Sequence, residues 1–408
     1  MKSQATDRQQ LIAIAEATLD AFHRGQASLE AVGDVHPDAI TNALSAALDW
    51  ARLDAQVSDS LSKEEQIAAP QAAEPYIPSN QILSLLQSAY DEYIESQGIT
   101  EAPFDPSDPG WATIAQEKLI AASRGKHPFV KHTTPASFRY DLPDDAVVAL
   151  FADWGTGELT AQRVMQQIAL RRPTHAIHLG DVYFAGTPKE AKERFLDVMD
   201  QHGPPKNSCR NFSLPGNHDM YSGGYGYFDL ILPHFGQEAS YFNLRGKNWQ
   251  LIGLDSGYQE YGLQDPQFEW LTAQLMGWTG KSILLSHHQL FSPYDKRVLN
   301  GTLLEKTRSL LVHVHAWFWG HEHRCIVMGD HLGIKARCIG HGAIPSSVPY
   351  GSPLFPEVPI LRVDERSAPP PDGGAYHGFA LLQFAGDTVQ LTYIDEYGNE
   401  FYTERFEK

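Results

Sequence analysis

The spacing of hydrophobic residues along the chain changes near residue 141. Before that point apolar residues recur at helical spacing, as at Leu11, Ile14, Ala15 and Leu19. We predict further helices over 38–53 and 79–96, the latter capped by Ser79-Asn80. The stretch between them is rich in Ser, Glu, Gln, Ala and Pro, a composition typical of linkers. We therefore predict an N-terminal helical region over 1–58, a linker over 59–78 and a helical accessory segment over 79–140.

After residue 141 the pattern changes to short continuous apolar runs, which are typical of buried strands. The runs are Val147–Phe151, His175–Leu179, Asn211–Leu214, Tyr241–Leu244, Trp249–Leu254, Ser282–Leu285 and Ala316–Trp319. Amphipathic stretches after Gly157, around Phe195 and over 267–276 separate several of them. This alternation predicts an α/β domain over 141–408, with parallel pairing first and antiparallel strands near the C-terminus. The Pro-rich segment 345–374 is predicted to be mostly loop.

Polar side chains follow five of these runs, where parallel strands of α/β sheets place their chemistry. Taken singly, each is an ordinary turn, cap or core residue. Together they predict one shared metal site, and a glycine precedes three of them to let the backbone approach closely. The residues are Asp153, Asp181, Asn217-His218-Asp219, His287-His288, and His321 with His323.

The types of ligand restrict the choice of metal. Carboxylate, amide and imidazole groups without a thiolate suit manganese, iron or zinc rather than a structural cysteine–zinc site. Six or more ligands exceed the needs of one tetrahedral ion. They fit two ions that share a carboxylate, the arrangement that polarises phosphoryl groups and activates water.

Composition and charge limit the kinds of molecule that the protein is expected to bind. The 408 residues carry a formal charge of −18, which disfavours binding to polymeric nucleic acid and suits a small ligand. Residues 1–100 contribute fifteen acidic and five basic side chains, so their helices form either a solvated appendage or a surface for a protein partner. No run is long enough for a membrane helix, and the first residues lack the apolar stretch of a signal peptide. Three cysteines without a CxxC spacing indicate reduced thiols and a cytoplasmic location.

The ordered motifs resemble those of the calcineurin-like metallophosphoesterases. They are Asp153-Trp-Gly, Gly180-Asp181, Gly216-Asn-His-Asp219, His287 and Gly320-His-Glu-His323. The resemblance implies a four-layer α-β-β-α sandwich of two mixed sheets, preceded here by the N-terminal helical region. It also implies hydrolysis of phosphate mono- or diesters by a hydroxide held at a dinuclear site of divalent or mixed-valence ions.

The resemblance also implies a role for each motif residue. Asp153 and His323 would bind the first ion, and Asp181 would bridge. The second ion would be bound by Asn217, His287 and His321, with His288 as the alternative to His287.

Three further residues receive candidate roles near the substrate. By the same resemblance, His218 would contact the phosphate together with Asn217 and protonate the leaving group. Asp219 would either orient the His218 ring or cap the turn. His341, between Gly340 and Gly342, would either approach the phosphate or serve as a turn residue.

One departure from the family pattern lies at the first motif, where Gly155 stands in place of the usual histidine. The purple acid phosphatases share this feature and compensate with a tyrosine after the bridging aspartate. Tyr183 lies close to that position but one residue nearer to the aspartate. It would therefore either bind the first ion, favouring iron, or simply pack. The alternatives to a general phosphoesterase are a purple-acid-type monoesterase and a non-catalytic metal-binding scaffold for protein recognition.

Overall fold

A computed structural model of the chain describes residues 8–23, 40–53, 79–96, 110–123, 125–295, 302–346, 348–368 and 374–408. The predicted linker, 59–78, lies outside the described residues. By its internal contacts the chain forms two compact units: Met1–Lys126 with Tyr221–Gly223, and His127–Met220 with Gly224–Lys408. The proposed division at residue 141 stays a prediction, although the second unit begins earlier.

The first unit is helical. Its helices are Arg8–His23, 40–53, Gln81–Ser96 and Gly110–Ser123. Leu11, Ile14 and Ala15 are fully buried, which confirms the predicted apolar face of the first helix. The Asn80 carboxamide oxygen accepts from the backbone N–H groups of Ile82 and Leu83 at 3.0 and 3.2 Å, so the predicted cap is also confirmed. Among the described residues, no helix combines the length and apolarity needed to cross a bilayer.

The second unit contains fourteen described strands in two mixed sheets. The strands are β1 (Arg139–Asp141), β2 (Val147–Phe151), β3 (His175–His178), β4 (Arg210–Ser213), β5 (Phe242–Arg245), β6 (Trp249–Leu254), β7 (Lys281–Ser286), β8 (Ala316–Trp319), β9 (Cys325–His331), β10 (Ile334–Ile339), β11 (Ile360–Val363), β12 (Gly378–Ala385), β13 (Thr388–Asp395) and β14 (Glu400–Glu407). One sheet has the order β1-β5-β6-β7-β8-β10-β9-β11, and the other β14-β13-β12-β2-β3-β4. Parallel pairing joins β2, β3 and β4, and also β6, β7 and β8, as the alternating pattern predicted.

Helices cover both outer faces of the paired sheets. The helices that share a core with the outer face of the six-stranded sheet are Leu159–Leu170, the continuous segment Pro188–Glu190, Ala191–Leu196 and Asp197–His202, then Asn217–Tyr221, and Tyr227–Ile231 with Leu232–Phe235. The helices that pack in the other core are Gln267–Leu275, and Thr302–Thr307 with Arg308–His313. The alternation of strand side chains explains the layers. Val148 and Leu150 point into the core between the sheets, whereas Ala149 and Phe151 point toward the helix that carries Val164. The fold is therefore the predicted four-layer sandwich.

Strands β9 and β11 extend the larger sheet beyond the predicted elements. The strand β11 lies inside the segment that was expected to be mostly loop, where it pairs with β9. In the described part of this segment, Ile360–Val363 is the only strand. Its side chains are half-buried or exposed, as expected for the edge of a sheet, so the strand leaves little apolar signal in the sequence.

A buried ion pair joins the two sheets. Arg337 lies on β10 and Glu404 on β14, and their side chains are only 3% and 13% exposed. The guanidinium donates from Nε to Oε1 at 2.7 Å and from Nη2 to Oε2 at 2.6 Å, and the Tyr393 hydroxyl donates to Oε1 at 2.8 Å. Two parallel bonds of this kind fix the relative position of the strands as well as neutralising both charges.

We expect Glu404→Ala to lower the free energy of unfolding by about 3–5 kcal/mol, because it leaves Arg337 charged and buried without its partner. The double variant Arg337→Met/Glu404→Leu removes both charges and should lose much less. Denaturant titration of the three proteins measures the difference. Equal losses in the single and double variants would contradict this explanation.

Candidate functional site

The predicted ligands meet where strands of the two sheets end. Asp153, Asp181 and Asn217 follow β2, β3 and β4 of the six-stranded sheet. His287 follows β7 of the eight-stranded sheet, and the turn that carries His321 and His323 follows β8. Since the sheets pack face to face, these ends form one buried cluster, as the sequence predicted.

Three of these residues have a left-handed backbone conformation, which sets the direction of their side chains. Asp153, Asp181 and His321 have φ values of 54°, 78° and 65°, which non-glycine residues rarely adopt. Each such residue costs on the order of 1–3 kcal/mol, so the surrounding fold has to enforce it. Strain concentrated at three of the predicted ligands marks this edge as a functional site.

Glycine is required next to two of the carboxylates. A Cβ atom at Gly320 would lie 2.5 Å from Asp153 Oδ2, and one at Gly216 would overlap Asp181 Oδ1. Any side chain there would displace the carboxylate that the neighbouring strand delivers. The glycines of the Gly-Asn-His-Asp and Gly-His-Glu-His motifs therefore make room for the ligands.

The first group of donors surrounds the Tyr183 hydroxyl. It donates to Asp153 Oδ1 at 3.1 Å and to Asp181 Oδ2 at 2.9 Å, and it lies 3.1 Å from His323 Nε2. One ligand atom from each of Asp153, Asp181 and His323 falls within 4.8 Å of the others. The structure thus brings Tyr183 into the ligand set that was predicted for the first ion.

The second group surrounds the Asn217 carboxamide oxygen. His287 Nε2 and His321 Nδ1 each lie 3.0 Å from that oxygen and 3.2 Å from one another. His287 Nε2 also lies 3.5 Å from Asp181 Oδ1. The two oxygens of Asp181 therefore face different donor groups, which is one of the ways in which a carboxylate can bridge two ions.

Hydrogen bonds on the far side of each ring orient the second group. His287 Nδ1 donates to the Leu179 carbonyl at 3.0 Å, which leaves Nε2 toward Asn217. His321 Nε2 lies 2.8 Å from the Tyr261 hydroxyl, which leaves Nδ1 toward Asn217. Outer bonds of this type fix the tautomer and angle of a metal-binding imidazole. Nothing in the sequence points to Tyr261, because it lies in a loop 60 residues before His321.

His288 also lies in this group. Its Nδ1 lies 3.1 Å from the Ser256 hydroxyl, and its ring packs 4.3 Å from that of Tyr261. A ligand atom of His288 lies within 4.8 Å of those of His287 and His321. His287 contacts both Asn217 and Asp181, and its preference over His288 as the ligand stays a prediction.

His218 lies beside the first group. Its backbone N–H donates to Asp181 Oδ1 at 3.0 Å, and its ring packs 4.6 Å from that of Tyr183. Ring atom Nδ1 donates to the Phe184 carbonyl at 2.6 Å. This carbonyl orients the ring, and the sequence could not reveal it because the acceptor is a main-chain atom.

Asp219 caps the turn, which is the second of its two predicted roles. Its Oδ2 accepts from the backbone N–H of Asp181 at 2.9 Å and from that of Gly216 at 2.7 Å. These bonds tie the turn after β4 to the turn after β3. The catalytic role, in which Asp219 would orient His218, is wrong in this structure because the Phe184 carbonyl occupies that position.

The substrate-binding role of His341 is not supported by its position. The ring is 2% exposed and lies edge-on to Phe401, 6.5 Å between centroids. Burial lowers its pKa to about 4, and its charged neighbours are Asp364, Arg366 and Asp395 rather than the site carboxylates. The turn does approach the site through Gly340, whose Cβ would lie 2.8 Å from Asp153 Oδ2. Because adjacent residues point opposite ways, the histidine between the two glycines faces elsewhere.

Burial keeps two histidines of the site, His287 and His323, neutral. It lowers the pKa of His323 to about 3 and also lowers that of His287, against the opposing effect of Asp181. Burial and the neighbouring Asp181 raise the pKa of Asp153. Burial also acts to raise the pKa of Asp181, but His287, His218 and two hydrogen bonds outweigh it and lower the pKa.

These properties fit metal ions. A neutral imidazole offers the lone pair that a metal needs, and two adjacent buried carboxylates are costly without a cation between them. Two sets of three metal-binding groups lie at this edge, one with two carboxylates and one with only imidazoles. The residues present therefore fit the two ions that the sequence predicted.

We expect Tyr261→Phe to weaken binding of one of two metal ions by about 10- to 100-fold, because His321 loses the bond that holds its ring. Tyr258→Phe is the matched control, since this tyrosine of the same loop donates to the His127 carbonyl at 2.8 Å. Calorimetric titration of metal-free protein with Mn²⁺ measures both affinities. An unchanged affinity in Tyr261→Phe would show that His321 is held by other contacts.

Solved structures with a resembling fold come from several organisms. They include GAP50, the anchor in the inner membrane complex of Plasmodium, with a TM-score of 0.48 at 14% identity over 64% of this chain and 89% of that one. A dimetal phosphatase from Danio rerio gives 0.43 at 13% identity over 64% and 98% of the two chains. Wild-type Vps29 of Entamoeba histolytica, complexed with zinc, gives 0.31 at 12% identity over 64% and 98%.

The sequence is similar to one protein family over part of its length. It has no significant match among curated proteins. Residues 146–325 match the family model for the calcineurin-like phosphoesterases, and this range spans the motifs at all five strand ends. The match and the five motifs together show that this part of the chain is similar to the calcineurin-like phosphoesterases.

Proposed function

We propose that the domain hydrolyses phosphate mono- or diesters with two divalent or mixed-valence ions. The observation that carries the proposal is the position of Asp181. Its Oδ2 accepts from Tyr183 in the first donor group, and its Oδ1 faces His287 in the second. A single carboxylate that lies between two sets of donors can hold two ions side by side.

Different side chains would hold each of the two ions. Asp153, His323 and Asp181 would hold the first, and Asn217, His287, His321 and Asp181 the second. Manganese, iron and zinc suit these oxygen and nitrogen donors. When bound, such ions polarise a phosphoryl oxygen and lower the pKa of a coordinated water to about 7.

His218 supplies the proton that the leaving group needs. Because Nδ1 donates to the Phe184 carbonyl, Nε2 is the nitrogen that can exchange a proton with the substrate. As water oxygen adds to phosphorus and the ester P–O bond breaks, Nε2–H is transferred to the departing oxygen. The ring returns to its protonated form by taking up a proton from solvent, so the cycle closes.

The proposed substrate is a small phosphoester. The formal charge of −18 disfavours a polyanionic chain, whereas a small ester can be held at a pair of cations. The acidic helices of the first unit remain a proposed surface for a protein partner, which their charge would restrict to a basic one.

We expect Asp181→Asn and His218→Ala each to lower hydrolysis strongly, but for different reasons. Asp181→Asn should also lower the metal content, because it removes the shared negative ligand. His218→Ala should keep its metal and lose about 10²–10⁴-fold in rate, the usual contribution of a general acid. Initial rates on aryl and alkyl phosphate mono- and diesters with Mn²⁺, beside metal analysis, separate the two.

His202→Ala is the control for this comparison, since His202 contacts Gln166 away from the site. Full activity of His218→Ala on alkyl esters would contradict the acid assignment. Metal-loaded wild-type protein that hydrolyses none of the esters would favour the non-catalytic scaffold instead.

One observation favours the purple-acid-type alternative for the first ion. The Tyr183 hydroxyl lies within 3.1 Å of Asp153, Asp181 and His323. Burial and the two carboxylates raise its pKa, so the phenol keeps its proton and donates to both aspartates when no ion is bound. Only a strongly polarising ion would displace that proton, which points to ferric iron.

We therefore expect iron-loaded, oxidised protein to show visible tyrosinate-to-iron absorption that Tyr183→Phe abolishes. Tyr227→Phe is the control, because this tyrosine is equally buried but donates to the Ser213 carbonyl at 2.6 Å. The measurement is an absorption spectrum with iron quantified in the same sample. A colourless wild-type ferric protein would leave Tyr183 as a hydrogen-bond donor only.

A further inference from the structure

The loop between β3 and the helical segment that begins at Pro188 delivers two groups to the site. Tyr183 contributes its hydroxyl, which contacts Asp153, Asp181 and His323. Phe184 contributes its carbonyl, which accepts from His218 Nδ1 at 2.6 Å. The position of this loop therefore sets both a candidate ligand and the orientation of the proton donor.

A buried glutamate outside the five motifs holds this loop. Glu190 is 4% exposed. Its Oε1 accepts from the backbone N–H of Phe184 at 2.7 Å, and its Oε2 accepts from the N–H groups of Ala185 and Thr187 at 3.2 and 3.0 Å. The Thr187 hydroxyl donates to Oε2 as well, at 3.0 Å. Four donors satisfy the charge of a carboxylate that has been removed from water.

Part of this pattern is an ordinary helix cap, and part of it is not. Thr187 and Glu190 form a capping box, in which the Thr187 hydroxyl accepts from the Glu190 N–H and the carboxylate returns to the Thr187 N–H. A capping box does not require the bonds to Phe184 and Ala185. Those two bonds extend the hold of Glu190 from the helix end into the loop that lines the site.

The peptide unit between Phe184 and Ala185 connects Glu190 to His218. Its N–H, on Ala185, donates to Glu190 Oε2, and its carbonyl, on Phe184, accepts from His218 Nδ1. In a planar trans peptide these two groups point in opposite directions, so one rotation of the plane would weaken both bonds. Hydrogen bonds aligned in this way also polarise one another.

Arg194 fixes the same loop from the next turn of the helical segment. Its Nη1 donates to the Tyr183 carbonyl at 3.1 Å, and its guanidinium lies 4.9 Å from the centre of the Phe184 ring. His218 contacts the Phe184 carbonyl. The groups on either side of it, the Tyr183 carbonyl and the Ala185 N–H, are therefore both bonded to the helical segment that carries Glu190. The loop is held at each side of the peptide that orients the histidine.

We propose that Glu190 is a positioning residue for His218. By holding the 184–185 peptide, it keeps the Phe184 carbonyl on Nδ1 and so makes Nε2 the nitrogen that transfers the proton. This inference rests on the proposed phosphoesterase function for its catalytic consequence. Its structural part, the bond from Nδ1 to the carbonyl, can be tested in the protein without metal.

Glu190→Gln is the informative variant, and Glu193→Gln is its matched control. Glutamine has one acceptor oxygen, and its NH₂ group would face N–H donors that it cannot satisfy. Glu193 lies on the same helical segment, is half exposed and pairs with Lys189 at 2.6 Å without contacting the loop. The two variants remove the same charge from the same helix.

The first measurement is the proton spectrum of the metal-free protein. A short bond from Nδ1–H gives a downfield imidazole resonance protected from solvent, which is assigned by its loss in His218→Ala. We expect Glu190→Gln to shift or broaden this resonance and Glu193→Gln to leave it unchanged. An unchanged resonance in Glu190→Gln would overturn the proposal.

The second measurement is the dependence of hydrolysis on the leaving group. A poor alkyl leaving group needs the proton from His218, whereas 4-nitrophenolate hardly does. We expect Glu190→Gln to lower kcat for an alkyl phosphate by about 10- to 100-fold, which is less than the 10²–10⁴-fold expected when the general acid itself is removed, and to lower kcat for the 4-nitrophenyl ester by less than about threefold. Equal losses on both esters would indicate general damage and overturn the positioning role.

Two controls keep the outcomes separate. If Glu190→Gln does not fold, as judged by circular dichroism, Glu190→Asp keeps the charge on a shorter chain, and we expect a smaller shift of the resonance in the same direction. An Asp variant with the wild-type spectrum would overturn the proposal. If the wild-type protein hydrolyses neither ester, the proposed function fails, while the spectrum still decides whether Glu190 orients His218.

Discussion

The burial of two neighbouring carboxylates is the constraint on which the rest of the structure depends. Asp153 is fully buried and Asp181 is 1% exposed, and the pKa of Asp153 is raised by burial and by the charge of Asp181. A buried carboxylate without partners is strongly destabilising. The fold therefore surrounds the pair with donors: Tyr183 reaches both, and the backbone N–H groups of His321 and His218 each donate to one of them.

Those donors come from elements that are far apart in the chain, so the site and the fold depend on each other. The N–H of His321, after β8 of the larger sheet, donates to Asp153, after β2 of the smaller one. The Asp219 carboxylate joins the turns after β3 and β4. Each contact fixes one strand end against another. The same bonds that compensate the buried charge therefore hold the candidate ligands close together.

Most of the candidate site could be predicted from the sequence because its determinants are local. A short apolar run followed by glycine and a polar residue identifies a strand end, and five of them in an α/β domain point to one edge. Phe184 and Leu179 were beyond prediction because they act through carbonyl oxygens, which every residue possesses. Tyr261 and Glu190 were missed because they contact the site only through distant or main-chain partners. The prediction for His341 failed because Gly340 beside it does approach Asp153, whereas the His341 side chain faces Phe401.

The electrostatics of the site determine the order in which its ligands must assemble. Without cations, the groups at its centre are two carboxylates, a phenol that keeps its proton and imidazoles that burial keeps neutral. This edge then repels a phosphoester, and the net charge of −18 adds to the repulsion. The same negative field attracts divalent cations, and two of them would reverse the local sign. Under the proposed function, a phosphoester would therefore bind only after the ions are in place, so metal occupancy, rather than the surface of the protein, would determine whether the site can receive its substrate.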